Sequence, residues 1–150
     1  MARKPVRRRH RRKVSDAKSF TLAVEAWVAN SGEAALEVAR EAAWALAEES
    51  REPLGAGGPM PVVTGNLRNS MLASTSRMPR IEFKAREKYP EADAQIYEVT
   101  STAEAGQTIY LGYRAPYAAK VEEKAGFVRL PAQRWQGIVA DVIHRIRGGG

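Results

Sequence analysis

Chemistry at neutral pH draws first on histidine, cysteine and paired carboxylates, and this chain has two histidines, His10 and His144, and no cysteine. Asp141 lies three residues before His144, so a helix would place them on one face. Two ligands do not make a metal site, and a surface pair is the plainer reading. Glu122 and Glu123 are adjacent, so a helix turns them about 100° apart and they do not face each other across a cleft. The chain carries no Gly-x-Ser-x-Gly, phosphate-loop or His-Glu-x-x-His pattern. The lack of cysteine excludes thiol catalysis and thiolate metal sites. This inventory points away from an enzyme and predicts no cofactor, no metal and no small-molecule ligand.

What remains is a binding or structural role, carried by the elements around these residues. With 150 residues the chain can bury one core, and the sequence predicts a basic arm over residues 1–14 and a single domain over 15–150. From Ser15 or Asp16 a helical pattern runs to Arg51, interrupted by Asn30, Ser31 and Gly32, which predicts helices over 16–29 and 33–51. Phe20, Val24, Trp27 and Val28 make the apolar face of the first. Leu36, Ala39, Ala43, Leu46 and Ala47 make a small-residue stripe on the second, with Glu33, Glu37, Glu41, Glu48 and Glu49 on its wet side. Trp44 falls off that stripe; a satisfied core residue is its plainer reading, and a subunit contact the alternative for a large aromatic placed there. Residues 52–61 hold three Gly and three Pro and predict a flexible loop without regular structure.

The period then changes. Leu72 to Phe83, with a break at Pro79 before Ile81, Gln95 to Thr100 and Gln107 to Tyr113 read as strands, with residues 101–106 as a hairpin loop, and predict an antiparallel sheet of three or four strands. Ala115 to Lys124 reads as a short helix opened by Pro116. A last helix is predicted over 130–147, with Ala132, Trp135, Val139, Val142 and Ile146 on its inner face and Trp135 central to the core. The fold class is therefore α+β: a small antiparallel sheet packed against N-terminal and C-terminal helices. No run approaches a membrane span and no apolar signal core follows the basic N-terminus, which predicts a soluble protein with no membrane partner.

The sharpest punctuation is Pro61-Val-Val-Thr-Gly-Asn-Leu-Arg-Asn-Ser-Met71. Thr64 can cap a helix turn by accepting the N–H of Leu67 or a neighbour, Gly65 eases entry to it, and Leu67 and Met71, four apart, share a face. Pro61, Val62, Thr64, Gly65, Leu67, Arg68 and Ser70, followed some fifty residues later by Pro116, Tyr117, Ala118 and Glu122 and then by the helix around Trp135, resemble the tail-component family of long-tailed bacteriophages. The resemblance spans roughly residues 17–147. It departs at Val63, where the family has an acid, and at Glu123-Lys-Ala-Gly126, where the family has an aromatic, Gly and Thr. It implies a virion structural protein of the neck, made in the host cytoplasm, that joins head to tail or completes the tail. Such a protein forms a ring oligomer, a hexamer by analogy, around the DNA channel, and its partners are further copies of itself, neighbouring neck and tail proteins, and DNA. The loop from Glu52 to Pro61 and the segment from Ala115 to Gly126 are expected at its subunit or ring contacts.

The net charge of +7 is located in the arm. Arg3, Lys4, Arg7, Arg8, Arg9, Arg11, Arg12 and Lys13 are eight of the chain's 24 Lys/Arg, and removing them leaves 16 against 17 Asp/Glu. A near-neutral body with a basic arm admits a second reading from another class, a small nucleic-acid-binding protein that holds DNA non-specifically through the arm. On either reading the arm contacts backbone phosphate or an acidic protein surface, because an unstructured basic run carries no base code. Deleting residues 1–13 is expected to leave the melting temperature unchanged and to abolish salt-sensitive DNA retention, measured as mobility shift at two salt concentrations. Equal retention by the deleted form would reduce the arm to a solubility tail.

Overall fold

The computed structural model describes residues 35–62, 64–82 and 88–148. The expectations placed on the arm, on the 16–29 helix, on Val63 and on residues 83–87 lie outside these residues. The described residues form the expected α+β fold, a small antiparallel sheet enclosed by helices.

Helix α1 occupies residues 35–51. Nothing in this run breaks a helix until Pro53, which disfavours helical backbone at Glu52. Ala39, Ala43, Leu46 and Ala47 are buried as the stripe predicts, joined by Ala35, Val38 and Ala42, while Glu37, Glu41 and Glu48 are exposed. The segment after α1 is more ordered than its Gly and Pro content implies. Leu54–Ala56 form a 3-10 turn, and Pro53 and Met60 pair in a bridge. The Leu54 N–H donates to the Met60 carbonyl at 2.9 Å and the Met60 N–H to the Glu52 carbonyl at 2.9 Å. Met60 is completely buried, so one apolar side chain anchors a loop whose composition suggests none.

The capped turn is present as helix α2, Asn66–Asn69, entered through Gly65 at φ 78, a left-handed conformation that glycine adopts without a Cβ clash. Thr64 Oγ1 accepts the N–H of Asn66 at 3.2 Å. Leu67 and Met71 are both buried, although Met71 has already left the helix and opens strand β1, Met71–Ser74. Strand β2, Tyr110–Tyr113, pairs antiparallel with it in the register Met71↔Tyr113 to Ser74↔Tyr110. Met71, Ala73, Leu111 and Tyr113 are its buried side chains.

The sheet has two strands among the described residues, not three or four. Gln95 to Thr100 belongs to helix α3, Asp93–Thr102. Ile96 and Thr100 are four apart, a spacing that satisfies strand alternation and a helical face equally. Buried Ala92 and Ala103 extend that face at helical spacing. Asp93 stands in the first turn, favourable at the positive end of the helix. The expected hairpin loop is thus the end of α3 and its link to β2, and the first strand stops at Ser74.

Three contacts set α3 antiparallel to α1. Arg40 Nε donates to the Ala103 carbonyl at 2.6 Å, Trp44 meets Tyr97 edge-on at 5.4 Å, and Arg51 pairs with Asp93. Helix α4, Ala118–Ala125, follows Pro116 as expected and ends at Gly126, φ 67. The predicted C-terminal helix is two, α5 at Arg129–Gln133 and α6 at Trp135–Gly148, because the chain tightens at Arg134, whose N–H bonds the Pro131 carbonyl at 3.0 Å. Pro131, Ala132, Ile138 and Val142 are the buried residues of the two. Trp135, expected at the centre, packs partly buried at the margin of the core. Truncating the fully buried Ile96 to Ala is expected to cost about 2–5 kcal/mol, read as a lowered urea midpoint at unchanged slope. A loss below about 0.5 kcal/mol would contradict its placement facing the core.

Candidate functional site

The first motif stretch meets the chain just before the second: Ser70 bonds Arg114, two residues ahead of Pro116. Ser70 is completely buried; its Oγ donates to the Leu67 carbonyl at 2.8 Å, and its own carbonyl accepts the Arg114 N–H at 2.9 Å and Arg114 Nε at 3.3 Å. Arg114 also lies over the ring of Tyr89 at 5.0 Å and within 3.6 Å of Glu82. The Tyr89 N–H donates to Asn66 Oδ1 at 2.8 Å, which ties the turn to the segment entering α3. Leu67 fills the core, while Val62 and Tyr117 remain exposed. Pro61 is partly buried beside buried Met60, and Pro116 is partly buried in the turn that opens α4.

Arg68, which the motif singled out without a role, donates from Nε to the Arg51 carbonyl at 2.9 Å. Arg51 is itself the largest fully buried side chain among the described residues. Its Nε donates to the Ala47 carbonyl at 3.2 Å, its Nη1 pairs with the Asp93 carboxylate, and its guanidinium lies 5.9 Å from the Trp44 ring centre. The Arg51 side chain is 2 % exposed and that of Asp93 63 %, so the pair runs from the interior to the surface. Trp44 thus sits between Arg51 and Tyr97, half-buried within the chain's own fold.

Glu122 has a role that spacing does not suggest. Its two carboxylate oxygens accept the N–H groups of Val128 at 2.9 Å and Arg129 at 3.1 Å, capping the start of α5 with a negative charge where helical amides are unpaired. Glu123 beside it is exposed, so the two carboxylates diverge as expected. Asp141 and His144 are both exposed, and Asp141 lies 3.9 Å from Arg134. Among the described residues no group of three or more His, Cys, Asp or Glu could hold a metal ion, and no helix is long and apolar enough to cross a membrane. His10 and the eight cations of the arm lie outside the described residues.

The most apolar concavity described is a groove of about 470 Å3 between β2, the end of α1 and the α4–α5 corner. Leu46, Met71, Leu111 and Phe127 line it, with Ser50, Tyr113 and Glu122 as its polar groups. These three are engaged. The Ser50 and Tyr113 hydroxyls bond each other at 2.6 Å, Tyr113 stacks edge-on against Phe127 at 4.8 Å, and Glu122 caps α5. Burial pushes the Tyr113 phenol well above its ordinary value, and the bond to Ser50 offsets part of that rise. Near the groove, partial burial raises the Glu49 carboxyl, against the lowering effect of Arg134 at 3.4 Å. The arrangement suits holding apolar groups. It sets no base beside Ser50 apart from another hydroxyl.

Compared with known proteins, the chain matches no family model, no curated protein and no solved structure.

Sequence reasoning found the motif but missed Arg51, Asp93, Gln95 and Arg114, whose roles depend on which strands and helices become neighbours. Two outcomes follow from this geometry. The folded chain holds the Tyr113 proton above the pH near 10 at which an unfolded phenol releases it, so stability falls as pH rises beyond about 10. Absorbance titration is expected to show a delayed phenol ionisation that Tyr113→Phe removes. Asp93→Asn removes the ionic partner that a buried guanidinium has among the described residues and is expected to cost about 1–3 kcal/mol, between an exposed and a buried pair, measured by urea unfolding.

Proposed function

We propose that this chain is a structural protein of the neck of a phage or phage-like particle, joining head to tail as a ring around the DNA channel. The observation that carries this reading is that the first motif stretch reaches the start of the second: the Ser70 carbonyl accepts the backbone and side chain of Arg114, two residues before Pro116. The stretches that resemble the tail-component family are therefore neighbours in the fold, joined through Arg114. Arg68 and Glu122 support it further, because both serve backbone carbonyls or amides of neighbouring elements.

The surface supports an assembly role as well. Leu54 from the ordered loop and Leu130 from α5 are 60 % and 46 % exposed. Both line a shallow recess with Pro59, Ala125 and Pro131. Loop and α4–α5 corner thus present one face, in which these apolar groups stand among Glu49, Glu52 and Arg134, and a heterologous ring contact needs such a face on one side. The near balance of 16 Lys/Arg against 17 Asp/Glu outside the arm favours this reading over a DNA-binding domain, which carries its cations on a folded face.

Removing the gene from a particle-producing strain is expected to yield DNA-filled heads and separate tails, seen by negative-stain microscopy. Normal tailed particles would sink the reading. Leu54→Asp with Leu130→Asp is expected to leave the urea midpoint within about 0.5 kcal/mol of the parent, since both side chains are already exposed, and to fail to restore joining.

A further inference from the structure

The two edges of the β1–β2 ribbon differ. The Arg114 N–H bonds the Ser70 carbonyl, which fixes the parity of the ladder. Leu72 with Gly112 and Ser74 with Tyr110 then exchange hydrogen bonds, and the backbone groups of Ala73, Leu111 and Tyr113 point away from the partner strand. On the β1 edge a side chain takes the place of a third strand. Gln95 Nε2 donates to the Ala73 carbonyl at 2.7 Å and Gln95 Oε1 accepts the Ala73 N–H at 3.0 Å. On the β2 edge, the N–H and C=O groups of Leu111 and Tyr113 meet no hydrogen-bond partner among the described residues.

That edge opens into the 470 Å3 groove. Leu111 and Tyr113 line it from one face of β2 and Gly112 from the other, so the groove wraps around the free edge. Both Leu111 and Tyr113 are buried residues, and backbone polar groups in apolar surroundings are costly to leave unpaired. Met78, Pro79 and Ile81 form its lip, with Ile81 55 % exposed. Arg77 and Arg80 flank these lip residues in sequence; both are exposed, and neither guanidinium has an ionic partner among the described residues.

We propose that β2 is a strand-addition site for an extended segment of a partner protein. The segment pairs its backbone with Leu111 and Tyr113, lays alternate apolar side chains into the groove and presents carboxylates to Arg77 and Arg80. The unpaired donors and acceptors select an extended backbone, the groove selects apolar side chains, and the two arginines select acidic flanks. The site does not depend on the head–tail reading.

The test uses the full chain, isotopically labelled, and a capped peptide Glu-Val-Thr-Val-Thr-Val-Glu. Saturating peptide is expected to slow amide exchange of Leu111 and Tyr113 by about tenfold or more, while the Gly112 amide, already in the ladder, changes little. N-methylating the peptide amides that face β2 is expected to weaken binding by at least about tenfold, and replacing its Glu ends with Lys to weaken it in a salt-dependent way. Absence of binding at millimolar peptide overturns the proposal, as does binding without protection of the two amides or equal binding by the N-methylated form. Protection that grows with protein concentration alone gives the edge to a second copy and overturns the partner assignment.

Discussion

A guanidinium buried at the end of a helix constrains much of this structure. Removing a cation from water costs several kcal/mol unless its hydrogen bonds are replaced, and Arg51 replaces them with its own helix at Ala47 and with Asp93 at the start of α3. Its carbonyl in turn receives Arg68 from the motif turn. One residue therefore joins α1, α2 and α3, which are separated in sequence by the ordered loop and by β1. Arg40 at Ala103 holds the far end of the same helix pair, and Trp44 against Tyr97 fills the space between. The antiparallel α1–α3 pair is thus pinned at both ends by arginines of α1, one on an acid at the start of α3 and one on a carbonyl at its finish.

The second frame is the joint between the ribbon and the α4–α5 corner. Ser50 and Tyr113 tie the end of α1 to β2, and Tyr113 against Phe127 carries that contact to the corner after α4. Glu122 then orients α5 by taking two of its unpaired amides, so α4 and α5 turn as one unit about Gly126. The groove exists because these contacts hold β2, α1 and the corner apart at fixed spacing, with small residues such as Ala118 and Ala132 on its walls.

Periodicity made α1, the capped turn and α4 legible, because each has a stop residue or a face that admits one interpretation. Pro53 ends α1, Gly65 opens α2 and Gly126 closes α4. The middle third was ambiguous for a definite reason. In a strand Ile96 and Thr100 would share one face, but they also stand one helical turn apart, and tertiary contact with Arg40 and Arg51 accompanies the helix. The split at Arg134 had no composition signal. Of the candidate site, the motif residues were visible while their partners were not, since Ser70 with Arg114 and Gln95 with Ala73 are meetings of distant segments that no local pattern encodes.

The connection between β1 and β2 bears on the order of events during synthesis. Tyr113 follows its partner Met71 by 42 residues, so at roughly 5–20 residues per second β1 waits about 2–8 s for its strand partner to leave the ribosome. A nascent strand with bare edges is a template for mispairing with other chains. Gln95 arrives after about half that interval and carries both a donor and an acceptor for Ala73. The side chain that pairs with Ala73 in the finished protein is thus synthesised before the strand that pairs with Leu72 and Ser74.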